Sequence, residues 1–270
     1  MSMTGTLRVK AVCRGEKTVV ADTYFDGAFK VARPVYFDEY EPTIYSLHVG
    51  GGYVGGDRYH TDVVLEENAK MTLTTQSAAK VYKTPAEPVY QSMDISLSKS
   101  SVFAYLPDPL IAYEQARFMQ ETTIYMEKGS TLLYSDIMTP GWSKSGEPFR
   151  YEWVRSKLKI YEDGALQAYD HLFLKPDKND LFSPMQMEGY THVGSLFIVS
   201  PALTQWESEL GQLLERYEDQ ARMGFSSLKN GGCSIRILAN ATHVIEEILL
   251  ACTGWMREKL GQKHVQLRKY

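Results

Sequence analysis

The sequence predicts an all-β-dominated fold: a β-helix-like body of stacked strands, with two α-helices in the C-terminal region. Three observations predict it. Eighteen Tyr and ten Phe stand among many Val, Ile and Thr, the residue types that suit a pleated sheet. Period-two alternation of apolar and polar residues recurs from the first residues onward. A pattern of strand, short turn and strand also returns about every 30 residues through the middle of the chain, a spacing typical of stacked units. The 270 residues are expected to form a single domain, with the β body over about 1–199 and the helix-containing part over about 200–270.

Each element has its own signal. Leu7-Arg8-Val9-Lys10-Ala11 alternates and opens the first strand, and Arg58 to Leu65 alternates after a glycine cluster. Residues 62–75, 93–106, 122–136 and 158–169 carry the repeated pattern. Their turns are Glu67-Asn68-Ala69, Lys99-Ser100-Ser101, Lys128-Gly129-Ser130 and Asp163-Gly164-Ala165. Leu203, Trp206, Leu210, Leu213, Leu214 and Tyr217 fall at helical spacing and predict a helix over 203–217, with Pro201 near its start and Gly224 past its end. The turn Asn230-Gly231-Gly232 leads to a strand over 233–238. Asn240 is then placed to cap a second helix over 241–260, which Gly261 ends. That helix is apolar at Val244, Ile245, Ile248, Leu249, Leu250, Cys252, Trp255 and Met256, too wide for one stripe. It is either sandwiched in the core or partly a partner surface, for which Leu249, Leu250 and Trp255 are the candidates.

Bulk properties narrow the function. With 44% hydrophobic and 23% charged residues the composition is that of a globular protein. The net charge is −4, and Lys and Arg do not cluster along the chain, which disfavours nucleic acid and anionic membrane as partners. Cys13, Cys233 and Cys252 are too few and too scattered for a disulfide framework or a Cys-x-x-Cys site. Residues 1–10 lack the apolar run of a secretory leader. The uncharged stretch 189–206 contains His192, Ser195, Ser200 and Pro201, so it is expected to be strand and turn rather than a membrane span. The expectation is a reduced, cytoplasmic, soluble protein.

Catalytic motifs are few. Gly50-Gly51-Gly52-Tyr53-Val54-Gly55-Gly56-Asp57 formally contains the dinucleotide fingerprint, which requires a helix to start at its last glycine. Here an alternating strand follows, so the glycines are expected to permit positive φ and close backbone approach at a sharp turn. The sequence has no phosphate loop, nucleophile elbow or His-Glu-x-x-His helix. His48, His60, His171, His192, His243 and His264 never pair at i,i+4. The runs ending at Asp136 and passing through Asp170 and His171 place polar groups inside strands, where each needs a hydrogen-bond partner or water.

Taken in order, several short motifs resemble the urease accessory family called UreD or UreH. They are His48, then Gly51, Gly52, Gly55, Gly56 and Asp57, then Leu73-Thr74-Thr75-Gln76 and Lys80-Val81-Tyr82. Leu106-Pro107-Asp108-Pro109, Ala116-Arg117-Phe118-Met119-Gln120 and Gly146-Glu147-Pro148-Phe149 follow. Gly50, Ala79 and Trp142 depart from the pattern, which expects Pro, Thr or Ser, and Arg there. The resemblance implies a β-helix-like body with two helices, no catalysis of its own and no tightly bound cofactor. It also implies a scaffold role joining apo-urease to UreF and to the GTPase UreG, which carries nickel.

Asp57, Asp136 and Asp170 each end or interrupt an apolar strand at a similar place in successive units. Stacking would bring them toward one line, as a water-filled path that nickel in transit could follow. The alternative for each is satisfaction by backbone N–H groups or a nearby cation, with no path. A rival of another class is a cupin-like metalloenzyme or small-molecule binder with its site among Asp57, His60, Asp136 and His171, which requires those side chains to converge on one point.

Overall fold

Alternation carries most of the chain into strands, 52% of it against 12% helical, the balance predicted for an all-β body bearing two helices. This computed structural model describes residues 2–176, 181–184, 186–263 and 267, so His264 lies outside the described residues. The chain opens with β1 (Gly5–Arg14), β2 (Lys17–Gly27), β3 (Phe29–Val31), β4 (Val35–Asp38) and β5 (Glu41–His48). It continues through β6 (Arg58–Leu65), β7 (Lys70–Thr75), β8 (Ala79–Val81), β9 (Val89–Leu97), β10 (Val102–Leu106) and β11 (Leu110–Ala112). Next come β12 (Arg117–Met126), β13 (Thr131–Met138), β14 (Trp153–Glu162), β15 (Ala165–Leu174) and β16 (His192–Val199). A 3-10 turn at Leu203–Gln205 leads to α1 (Glu207–Glu215), β17 (Arg222–Leu228), β18 (Gly232–Ala239) and α2 (Thr242–Lys259).

Two sheets face each other. The first runs β15-β14-β12-β9-β6-β1-β2 and the second β17-β18-β16-β13-β10-β7-β5-β3. The first three predicted turns carry the chain from one sheet to the other, from β6 to β7, β9 to β10 and β12 to β13, so these units are arches rather than hairpins. The arches stack in parallel register: Val63, Ile95, Ile124 and Ile160 align in the first sheet, and Met71, Phe103 and Leu132 in the second. Each turn contains a left-handed residue, Asn68 (φ +62), Ser100 (φ +59) and Gly129 (φ +93). Stacked turns bond through their backbones, Val102 N–H to Ala69 O at 2.9 Å and Thr131 N–H to Ser101 O at 2.8 Å. The fourth unit is a true hairpin, β14 and β15 pairing antiparallel within the first sheet.

Inward-facing alternate residues fill the space between the sheets with Tyr59, Phe103, Phe118, Met71, Ile95 and Leu132, all fully buried. A second core lies on the outer face of the second sheet, where Leu133, Ile137, Leu196 and Ile235 meet the helices. The broad apolar surface of α2 is explained here: Ile245, Ile248, Leu249, Cys252 and Met256 are buried in that core. Gly194 in β16 makes room for the helix, because a Cβ there would come within 2.4 Å of Ile245 Cγ2.

At its far end α2 is pinned by a buried ion pair. Arg257 donates from Nη1 to Glu41 Oε2 at 3.0 Å and from Nη2 to Glu41 Oε1 at 2.6 Å. The Thr72 hydroxyl adds a bond to Glu41 Oε1 at 2.8 Å, and both charged side chains are only 4% exposed. The helix then stops as predicted: Gly261 (φ +67) donates to Glu258 O and Gln262 to Arg257 O, the paired bonds of a Schellman turn.

Three expectations need correction. The predicted helix over 203–217 is a 3-10 turn and a shorter α1, separated by Trp206, whose backbone (φ −125, ψ 7) breaks the run. Gly224 does not follow a helix but lies inside β17, an exposed strand without an apolar face to reveal it. Asn240 does not cap α2; Ala241 takes the N-cap position in extended backbone, which leaves Asn240 one residue too early to reach the first-turn N–H groups. Among the described residues no helix is long and apolar enough to cross a membrane.

Candidate functional site: a polar row between the sheets

Register, rather than sequence repetition of any one residue type, builds the most polar part of the interior. In the first sheet Tyr59, Gln91, Gln120 and Ser156 are successive cross-strand partners on β6, β9, β12 and β14. With strands ~4.8 Å apart, this row extends over roughly 14 Å along the stacking direction. In the second sheet Asp136, Ser195 and Arg236 are likewise partners across β13, β16 and β18.

The two rows meet at Asp136. Gln120 Nε2 donates to Asp136 Oδ2 and to Ser156 Oγ at 2.9 Å, and Ser156 Oγ lies 3.4 Å from the same carboxylate oxygen. Arg236 donates from Nη1 to Ser195 Oγ at 2.7 Å and from Nη2 to Asp170 Oδ1 at 2.6 Å, joining the sheets. Arg236 offsets one of two carboxylates, which leaves this end of the row net negative. Asp136 lines a cavity of about 40 Å³ together with Tyr53, Gln91, Tyr105, Asp108 and Gln120. A water needs roughly 10–15 Å³ of such space. Asp136 is half-buried, and desolvation pushes its carboxyl up to about 6. The bonds from Gln120 and Ser156 and the charge of Arg236 oppose that rise without cancelling it.

At the other end stands Asp57. Its Oδ2 accepts from the Val54 N–H at 2.8 Å and from the Tyr59 hydroxyl at 2.9 Å. His48 Nε2 lies 2.9 Å from the same hydroxyl. A phenol has one proton, so with Tyr59 donating to Asp57, His48 Nε2 must be the donor to Tyr59. Burial lowers the His48 pKa, opposed by the charge of Asp57, and burial together with the Asp57 bond raises that of Tyr59. Tyr53 packs on Tyr59 with centroids 4.4 Å apart and donates to Gln91 Oε1 at 3.1 Å, linking this end to the row.

The structure therefore brings Asp136 and Asp170 to one end of the row, Asp170 bonded to Arg236 and Asp136 within reach of its charge. It places Asp57 beyond the opposite end, in the loop before β6. His60 and His171 lie elsewhere. Neighbours of the inward-facing Tyr59 and Asp170, they point to the outer face of the first sheet, where His60 Nδ1 meets Ser92 Oγ at 2.9 Å. The four residues of the metalloenzyme alternative thus do not converge. Among the described residues no group of three His, Cys, Asp or Glu is arranged to hold a metal.

The motif residues gather around the glycine loop. Gly50–Gly56 leads into a strand, as expected, and passes over β8. Tyr53 N–H donates to Lys80 O at 2.7 Å and the Tyr82 hydroxyl donates to Gly51 O at 3.0 Å. Gly51 (φ +77) and Gly56 (φ +85) use left-handed backbone, and a Cβ on Gly55 would press on Glu87 O at 3.1 Å. Asp108 is buried and exchanges two bonds with Thr75, accepting from its hydroxyl at 2.6 Å and donating its own N–H at 2.7 Å. Gln76 and Lys80 are exposed, and Gly146 and Glu147 form a surface turn away from the row. Of the proposed partner surface, Leu249 is core, Trp255 half-buried and Leu250 exposed.

Gly52 (φ +147) is the tightest point of the loop: a Cβ would lie 2.7 Å from Lys80 O and 2.8 Å from Tyr82 Cε2. Gly52→Ala should therefore cost about 1–3 kcal/mol, combining backbone strain with overpacking. Urea denaturation checks this, with Gly51→Ala, which meets nothing within 4 Å, as the less damaging reference.

Sequence reasoning found the carboxylates and had Gln120 only as a motif residue, but missed Tyr59, Gln91, Ser156, Ser195 and Arg236. A signal was present: Tyr59, Gln91 and Gln120 each stand at one constant offset before the left-handed residue of their turn, Asn68, Ser100 and Gly129.

Comparison with known proteins agrees with the motif pattern. Residues 3–269 match the family described as UreD urease accessory protein. The chain is similar to the urease accessory protein UreD of Bacillus sp. (strain TB-90), 45% identical over 272 residues and covering 100% of both chains. It is 38% identical to proteins of the same name from Staphylococcus epidermidis (strain ATCC 12228 / FDA PCI 1200) and Staphylococcus aureus (strain bovine RF122 / ET3-1), covering 99% of this chain and 98% of each relative. Stacked arches, glycine loop and full-length similarity lead to one conclusion: the chain belongs to the UreD urease accessory protein family.

Proposed function

We propose that this chain is a non-catalytic urease maturation factor of the cytoplasm that works with UreF and UreG to deliver nickel to apo-urease. In this reading nickel, as cargo, passes between the two sheets along the polar row from Asp57 to Asp136 and Asp170. The observation that carries the reading is Asp136. Its carboxylate is held beside a cavity with room for water, in surroundings that disfavour its charge. A buried carboxylate costs several kcal/mol unless fully compensated, so it is retained for something other than stability, and a passing cation is natural compensation. Tyr, Gln, Ser and Asp offer oxygen atoms along the row. Such ligands hold nickel less tightly than imidazole or thiolate, which suits transit better than storage.

The test replaces Asp57, Asp136 and Asp170 one at a time with Leu, confirming by circular dichroism and co-purification that each variant folds and still assembles with UreF, UreG and urease. Metal analysis of the co-produced urease should show nickel content reduced severalfold, most for Asp136→Leu, with activity falling in proportion. Normal nickel content in all three variants would leave only the scaffold role.

A further inference from the structure

We propose that the free edge of β15 receives an extended acidic segment of a partner protein, which adds as another strand to the first sheet. Among the described residues β15 has a neighbour on one side only, β14, so the outward-pointing backbone groups of Ala165–Leu174 form an open template. Edge strands are usually blunted by Pro, Lys, a bulge, an inward charge or a covering element. β15 contains neither Pro nor Lys, and its bulge against β14 lies near its start, between Leu166 and Ala168. Its inward charge, Asp170, is bonded to Arg236, which leaves Ala168–Leu174 as the regular open stretch.

The chemistry beside this edge selects the occupant. On the outer face Tyr169, His171 and Phe173 form a row of rings along β15, with neighbouring centroids 6.4 Å apart. Directly behind it β14 presents Arg155, Lys157 and Lys159, whose cross-strand partners are Phe173, His171 and Tyr169. Lys157 is matched by Glu121 at 2.9 Å. Arg155 and Lys159 have no carboxylate within salt-bridge reach among the described residues, and Arg155 Nε is buried without a partner. The Arg155 guanidinium leans over the Phe173 ring, 4.6 Å from its centroid, and lies 5.9 Å from that of Trp153. This holds the charge above the edge strand rather than above β14, and the next strand would begin ~4.8 Å beyond. A carboxylate on that strand, opposite Phe173, comes within reach of a cation already stripped of part of its water. Backbone pairing would supply affinity and the alternate acidic side chains specificity, as in other strand-addition complexes. A second copy of this chain fits poorly, since pairing β15 with itself would lay two rows of Arg155, Lys157 and Lys159 on one continuous face.

The test uses the intact protein and a capped nonapeptide alternating Val and Glu, with the Val/Lys peptide as its charge-inverted control. Hydrogen exchange should show the amides of Ala165–Leu174 slowed by the acidic peptide. Fluorescence anisotropy should find it at least about tenfold tighter than the basic one, and about tenfold weakened by Arg155→Glu. Lys159→Glu, an exposed site, should weaken it in the same direction even if Arg155→Glu disturbs folding. Equal binding of the two peptides, no binding at millimolar concentration, or protection that grows with protein concentration alone would overturn the proposal, the last by assigning the edge to a second copy.

Discussion

Arg257→Met should destabilise the protein by roughly 3–5 kcal/mol, the cost of leaving a buried charge without its counterion. Glu41 would lose both guanidinium bonds, at 3.0 and 2.6 Å, and retain only the Thr72 hydroxyl. At 4% exposure, water cannot replace what is lost. The loss is due to the orphaned partner, not to any large net worth of the pair. The triple variant Glu41→Leu, Thr72→Val, Arg257→Met should therefore recover most of it, because well-packed apolar groups often match a buried ion pair in stability. Urea denaturation of the three proteins separates these outcomes. If the triple variant is as unstable as Arg257→Met alone, packing around α2 rather than charge is responsible.

Asp136→Asn should have the opposite sign. In the folded protein burial raises the Asp136 carboxyl from its ordinary value to about 6, so the native state binds this proton more tightly than the unfolded chain does. Stability from this group is then present at low pH and lost as pH rises through about 6. Asn does not titrate. At pH 7.5 the variant should be more stable than the wild type by about 2–3 kcal/mol, with the gap closing as pH falls toward about 4. Thermal melts of both proteins across pH 4–8 read this directly, since other groups titrate alike in the two. An unchanged or negative gap at pH 7.5 would mean that Gln120, Ser156 and Arg236 compensate the charge in full. In the proposed function the same substitution lowers nickel delivery, so stability and activity are expected to move in opposite directions.

What could be read in advance follows from which physical signals are local. Arg58–Leu65 and the turns at Asn68, Ser100, Gly129 and Asp163 were legible because alternation and turn chemistry act within a few residues. That the first three turns join different sheets was not, because a left-handed residue reverses the chain without specifying the plane of its next partner. β17 was hidden for a related reason: Arg222–Leu228 is mostly exposed and shows no apolar face. In the site, Asp136 and Asp170 stood out as charges within apolar strands. Gln91, Gln120 and Ser156 did not, since a neutral polar residue on a strand is ordinary until register aligns it with others. His60 and His171 were grouped with the carboxylates by residue type alone, whereas strand parity sends them to the opposite face.

The order in which strands stack in the first sheet also bears on how the protein is made. From β1 through β6, β9, β12 and β14 the spatial sequence is the chain sequence, so each arch can settle on its predecessor as it leaves the ribosome. At roughly 5–20 residues per second a new unit of about 30 residues arrives every few seconds. A hairpin forms in microseconds and even all-β domains of non-local pairing fold in milliseconds to seconds, so the growing edge waits on translation at least as long as on folding. Until β15 pairs with β14 an unpaired parallel strand faces solvent, and Glu41 has no counterion until Arg257, 216 residues later, emerges. The last helix thus acts as a completion signal: a nascent chain halted before it would have both sheets, but Glu41 without its counterion and the outer apolar face of the second sheet uncovered.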